Sequence, residues 1–147
     1  MECIIGVSGH RNFDVSKFNY VKFLEECVKN RVTHVLNGAA GGFDIHVAEI
    51  CSIVEISYDF YLPYSGYNIK GRLAAGVNKE VLNIYSEQEE YDNPSCYHRR
   101  NRRIVDHCDL LFVYYDGRTS GGTYETIQYA KQINVPVINF YQDGVSG

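Results

Sequence analysis

Short, nearly continuous apolar runs alternate along this chain with stretches of helical period. Cys3–Ser8 reads as a first strand, ending in the loop Gly9-His10-Arg11-Asn12. A helix is predicted from about Val15 to Asn30, capped by Asp14 or Ser16, with Phe18, Val21, Leu24 and Val28 on one face. Thr33–Asn37 is a second strand, and Gly38-Ala39-Ala40-Gly41-Gly42 turns into a helix that holds Asp44 in its first turn and runs to about Ser52. Ile56–Leu62 is a third strand, stopped by Pro63. Between Tyr64 and Asn93 the pattern is least legible; a helix near Arg72–Leu82 and a short strand near Asn83–Tyr85 fit it. A helix over about Ser95–His107 then feeds the run Leu110–Tyr115, which is short, β-branched and aromatic, as a buried parallel strand is. Asp116-Gly117 breaks that run, Ser120-Gly121-Gly122-Thr123 opens another helix, and Val137–Tyr141 follows Pro136 as the last strand.

Alternating strands and helices predict an α/β fold, a mostly parallel sheet with right-handed crossovers and helices on both faces. Residues 1–147 are expected to form a single domain, long enough to bury a substantial core. In such sheets ligands gather beyond the carboxyl ends of the strands, where the strand order reverses. Three loops should meet there: Ser8–Asn12, Gly38–Asp44 and Asp116–Thr123.

Each loop carries matching chemistry. Glycines before a helix N-terminus let an anion reach unpaired N–H groups with the helix dipole behind them, which makes Ser120, Gly121, Gly122 and Thr123 a candidate phosphate cradle. Ser8 and Gly9 allow close approach, and Arg11 supplies a cation able to bind phosphate through two parallel hydrogen bonds. Gly38, Gly42 and Asp44 could wrap a ribose or phosphate, Asp44 accepting from a ribose hydroxyl; capping its own helix is an equal reading of that carboxylate. The spacing is not that of the dinucleotide fingerprint. Among the tyrosines, Tyr58 and Tyr61 are assigned to packing, and Tyr64 and Tyr67, beyond Pro63, are candidate stacking partners.

Composition narrows the partners. The net charge of −4 argues against nucleic acid and acidic membranes, and no apolar stretch reaches the roughly 18 residues of a membrane span. The basic cluster Arg99-Arg100-Asn101-Arg102-Arg103 is divided by helical geometry. Tyr97, Asn101, Ile104 and Cys108 share the predicted buried face, Arg100 lies beside it, and the other arginines point to solvent. Five cysteines without a CxxC pair read as reduced thiols. The start of the chain runs straight into a strand without a leader pattern, so a cytoplasmic location is expected. No cofactor or resident metal is implied, magnesium on a ligand phosphate excepted.

Taken in order, Gly6-Val7-Ser8-Gly9-His10-Arg11, Gly38, Gly42-Phe43-Asp44, Ala48-Glu49, Arg100-Asn101, Asp109 and Gly121-Gly122-Thr123 resemble the YpsA-like branch of the SLOG superfamily. The resemblance covers nearly the whole chain and implies a Rossmann-like domain that binds nucleotides or nucleotide-derived ligands such as ADP-ribose relatives. It also implies a small-molecule partner, either sensed or sequestered, and a homodimer formed through helices. The enzymatic relatives, Lonely Guy phosphoribohydrolases, carry PGGxGTxxE with an upstream Arg-Lys pair. Arg100 matches that Arg, Asn101 replaces the Lys, and Gly122-Thr123 matches Gly-Thr, but Thr126 stands where the Glu belongs and Glu125 falls one residue early. Cleaving an N-glycosidic bond needs a carboxylate at that point. Binding without strong catalysis is therefore expected, the alternatives being an N-glycoside hydrolase or transferase using Glu125 or Asp116 and, as a third class, a DNA-handling or protein-interaction module, since other SLOG proteins bind single strands.

Overall fold

The structure, a computed structural model, describes residues 2–69 and 83–143. Six parallel strands make one sheet: β1 (Cys3–Gly9), β2 (Val32–Asn37), β3 (Ser57–Tyr61), β4 (Asn83–Tyr85), β5 (Leu110–Tyr114) and β6 (Val137–Asn139). Their spatial order is β4-β3-β2-β1-β5-β6. The chain therefore builds outward from β1 in one direction and later returns to β1's other side, where Gly6 pairs with Leu111 and Gly9 with Tyr114. The reversal of strand order falls between β1 and β5, and the expected α/β, Rossmann-like architecture is the observed one. The helix predicted near Arg72–Leu82 lies outside the described residues.

Four helices cover the sheet: α1 (Tyr20–Lys29), α2 (Gly42–Val54), α3 (Ser95–Asp106) and α4 (Gly122–Gln132). One core joins α1 and α2 to the sheet through Phe23, Phe43, Phe112 and Phe140, all at most 1% exposed. Phe112 and Phe140 lie 4.8 Å apart between ring centroids, and Phe43 stacks on Tyr114 at 5.8 Å. A second cluster, around Val105, Leu111, Val113, Ile127 and Ala130, seats α3 and α4 on the opposite face. Gly6 permits that packing, since a Cβ there would lie 2.6 Å from Ile104 Cγ2.

Two expectations about helices change. The first helix does not run unbroken from Val15. Residues Val15–Lys17 form a 3-10 turn capped by Asp14, and α1 starts afresh after Asn19, whose side chain accepts from the Lys22 N–H. Between them, buried Phe18 is drawn into the aromatic core and bridges to Tyr141. Because the helix starts later, its inward face is Phe23 and Cys27; Val21 and Val28 are 64% and 79% exposed. In α3 the buried positions are Cys96, Arg100, Ile104 and Val105, so Arg100 sits within the buried face instead of beside it.

The face of α1 can be tested directly. Phe23→Ala should cost about 3–5 kcal/mol in denaturant unfolding, as large-to-small core changes do. Val28→Ala should stay within about 0.5 kcal/mol; the reverse ranking would restore the face read from sequence.

Candidate functional site

A cleft of about 410 Å³ opens at the carboxyl ends of β1 and β5, at the reversal of strand order. From the end of β1 it receives Ser8, Gly9, His10, Arg11 and Asn12, and from the β2–α2 connection Ala40 and Asp44. The first turns of α3 add Pro94, Tyr97, His98, Arg100 and Asn101. Gly121, Gly122 and Thr123 close it at the start of α4, beside Arg118.

The α4 end is built for an anion. Gly121 caps the helix without a side-chain hydrogen bond, at φ 102°, a left-handed conformation that suits glycine. The first intrahelical bond of this end runs from Glu125 N–H to the Gly121 carbonyl, which leaves the preceding N–H groups for a ligand. A Cβ on Gly122 would meet nothing closer than Asn101 Nδ2 at 4.0 Å, so the space above this backbone is open.

The opposite wall is a rigid turn. Asn37, fully buried, donates to the Asp44 carbonyl at 2.7 Å and accepts from Ala39 N–H at 2.8 Å. Asp44 Oδ2 accepts from Ala40 N–H at 3.0 Å, and Gly42 N–H donates to the Arg11 carbonyl at 3.0 Å. Gly41 lets these two loops touch, since a Cβ there would lie 2.6 Å from Arg11 Cα. Asp44 is 4% exposed, its Oδ1 has no hydrogen-bond partner, and burial pushes its carboxyl up to about 6 against the pull of Ala40 N–H and Arg100.

Arg100 lies beneath this wall. Its guanidinium donates to the Gly38 carbonyl at 2.7 Å and the Asn101 side chain at 2.7 Å, with a longer contact to the Tyr61 carbonyl at 3.4 Å. Burial draws its pKa down, although Asp44 favours its charge. Arg11, by contrast, is exposed and forms no ion pair among the described residues. It is the cation free to meet a ligand.

His10 braces the last loop. It is 8% exposed, and its Nε2 accepts from Asp116 N–H at 3.0 Å, with Asp116 Oδ1 also 3.0 Å away. Burial draws the imidazole pKa down, more than Asp116 raises it, which favours the neutral acceptor form that the N–H requires. Asp116 in turn holds Arg118 through Oδ1 at 2.9 Å and Oδ2 at 2.5 Å, bonds that keep its carboxyl well below the usual range.

Of the residues singled out from sequence, Ser8, Gly9, Arg11, Asp44, Arg100, Asn101, Gly121, Gly122 and Thr123 line this cleft. Gly38, Gly42, Ser120, Asp116 and Glu125 do not. Gly38 abuts Arg100, and Gly42 leaves room for Phe13, whose Cβ would be 2.6 Å from an added Cβ. Glu125 lies on the outer side of α4, 2.7 Å from His98 Nδ1. Thr126 is buried and donates its hydroxyl back to the Gly122 carbonyl at 2.7 Å. Tyr64 and Tyr67 pack on one another, Tyr67 reaching the Ala39 carbonyl at 3.1 Å; the aromatic ring at the cleft is Tyr97. Sequence reasoning missed Tyr97, His98, Arg118 and His10. The last stands next to Gly9 in a loop already singled out, but no role was assigned to it there. Among the described residues no three His, Cys, Asp or Glu side chains gather to hold a metal, and no helix is long and apolar enough to cross a membrane.

No family model matches the chain, and no curated protein matches it by sequence. Solved structures do match. DNA processing protein A from Helicobacter pylori, whose single-stranded DNA binding mode has been described, superposes at TM-score 0.71 and 20% identity, over 93% of this chain and 64% of that one. DNA processing protein A (DprA) from Streptococcus pneumoniae gives 0.67 and 18%, over 93% and 50%. A protein assigned as a molybdenum carrier from Syntrophus aciditrophicus SB gives 0.55 and 23%, over 78% and 66%. This chain thus spans between half and two thirds of the length of the DprA proteins, and the likeness is one of fold. It overturns one expectation. Net charge argued against nucleic acid as a partner, yet the same fold serves a single-stranded DNA binder, so overall charge does not set that partner aside.

Asp44 makes a prediction of its own. Its folded pKa of about 6 stands above the ordinary 3.8, so the stability it contributes is fully present below about pH 4 and lost as pH rises through about 6. Asp44→Asn should flatten that part of the stability–pH curve measured by denaturant unfolding. An unchanged curve would mean that the carboxyl is not buried as described.

Proposed function

We propose that this cleft binds the phosphate and sugar of a nucleotide or nucleotide-derived ligand, as a SLOG-type binding domain of the YpsA-like kind, and holds it without cutting its N-glycosidic bond. The observation that carries this reading is the uncapped α4 N-terminus opening onto the strand-order reversal, where the nearest atom to a Cβ on Gly122 would be Asn101 Nδ2 at 4.0 Å. Phosphate oxygens would accept from the Gly122 and Thr123 N–H groups, with Arg11 closing on the same charge. Asp44, which lines the same cleft, would take a ribose hydroxyl. Tyr97, at the α3 wall, offers a ring face for the base. Arg100 is committed to carbonyls below the wall, so its part is to add positive potential and not to grip.

Binding without cleavage is supported by where the carboxylates are. Thr126 turns its hydroxyl into its own helix, Glu125 faces the other side of α4, and Asp116 is engaged by Arg118 and His10. Neither candidate carboxylate of the hydrolase reading lines the cleft.

A second reading, single-stranded DNA as the ligand, is favoured by the fold shared with the DprA proteins. The same donors would then hold the backbone phosphate of a strand. Salt separates the two, because each further neutralised phosphate steepens the fall of affinity with salt.

Titration calorimetry with AMP, ADP-ribose and a single-stranded ten-mer, combined with chromatography for released base, tests the proposal. The wild type should bind a nucleotide and release no base. Gly122→Asp, which adds bulk and negative charge where phosphate sits, should abolish binding while leaving the fold intact. Arg11→Ala should weaken it about tenfold. Unchanged affinity in Gly122→Asp would place the ligand elsewhere, and accumulating free base would make the protein a glycosidase.

A further inference from the structure

On the far side of α4's first turn lies a second cleft of about 470 Å³, lined from α3 by His98, Asn101 and Arg102 and from α4 by Tyr124, Gln128 and Gln132 among others. Both clefts share His98 and Asn101, so they meet along α3 and pass on either side of the α4 N-terminus. Neighbouring helices ordinarily fill the space between them with interdigitated side chains. Here the facing rows are polar. Positions 124, 128 and 132 are four apart and form one stripe on α4, opposite 98, 101 and 102 on α3. The groove between the two helices, lined by amides and tyrosines, leaves room for a ligand group.

Its chemistry matches a heterocyclic base. Tyr124 is half-buried and its ring makes no aromatic pair among the described residues, which leaves a face for stacking. Gln128 and Gln132 each offer both a donor and an acceptor, as a base edge demands. Arg102 is held 5.0 Å over the Tyr129 ring, and Tyr129 donates to Asp106 Oδ1 at 2.5 Å, so the groove floor is fixed. Glu125, the carboxylate of this cleft, is paired with His98 at 2.7 Å.

We infer that the two clefts together bind two nucleoside units joined through phosphate, the phosphate at the α4 N-terminus and the second base between Tyr124 and the glutamines. The inference rests on the nucleotide reading of the first cleft. Each cleft alone exceeds the ~300 Å³ at which small-molecule sites begin. Such a ligand is either a free dinucleotide or a segment of a strand; the recognition chemistry is the same.

The test compares AMP with the dinucleotide pApA by titration calorimetry, in the wild type and in Tyr124→Ala and Gln128→Ala. The dinucleotide should bind about tenfold or more tightly than AMP. Tyr124→Ala should erase that advantage and leave AMP affinity unchanged; Gln128→Ala should reduce it. Equal affinity for the two ligands, or an advantage that survives both substitutions, overturns the second subsite. Failure of AMP and pApA alike to bind refutes the nucleotide reading itself. A deoxyadenosine ten-mer that binds more tightly than pApA, with a steeper salt dependence, identifies a strand as the source, and equal affinity identifies the free dinucleotide.

Discussion

The arrangement at the carboxyl end of this sheet depends on one buried cation. Arg100 is 4% exposed, and its guanidinium ties α3 to the β2–α2 connection through the Gly38 carbonyl. A buried charge is tolerated only when its donors are satisfied and a counter-charge is near. Here two backbone carbonyls, the Asn101 side chain and the field of Asp44 meet those needs. Gly38 is part of the same solution, because an added Cβ would lie 3.0 Å from the guanidinium. Loss of Arg100 would release the wall that holds Asp44 against the cleft, and would leave Asp44 buried without its cation.

Around that clamp, polar groups divide into committed and uncommitted sets. Asn37, Asp116 and His10 are used in holding loops, each by contacts of 3.0 Å or less. Arg11, the α4 N–H groups and Asp44 Oδ1 have no such employment among the described residues. Arg11 and the start of α4 line one cavity at the point where strand order reverses, the place that parallel sheets present to ligands, while Asp44 Oδ1 lies buried in its wall. This separation of scaffold from free donors is what a preformed anion and sugar site requires, since the groups that grip need not first let go of a partner.

Much of the fold was legible because parallel strands buried on both faces leave nearly continuous apolar runs, as in β1, β2 and β5; the edge strand Asn83–Tyr85, half exposed at Ile84 and Tyr85, carries a weaker signal. The glycine loops were legible for the same reason: small residues between a strand and a helix have few other uses. Side-chain direction was harder. A start of α1 delayed from Val15 to Tyr20 moves the inward face to Phe23 and Cys27, which no count from Val15 could show. Helical spacing alone put Arg100 beside the buried face; partners distant in sequence, the carbonyls of Gly38 and Tyr61 and the nearby Asp44, make its burial feasible. Tyr97, His98 and Arg118 were missed because their place at the cleft follows from how α3 and the β5–α4 loop approach β1, a tertiary fact with no local signal.

The likeness to DprA structures is one of fold, at identities too low to carry function, and one of those proteins, from Helicobacter pylori, binds single-stranded DNA. What both ligand classes share is phosphate next to a sugar, and the site described here is a claim about that unit. A crystal structure of the protein grown with saturating ADP-ribose tests it most directly. The account predicts phosphate oxygens within hydrogen-bond distance, about 2.7–3.2 Å, of the Gly122 and Thr123 nitrogens, with Arg11 turned toward them. Ligand bound away from α4, or that N-terminus left vacant at saturating concentration, would contradict it.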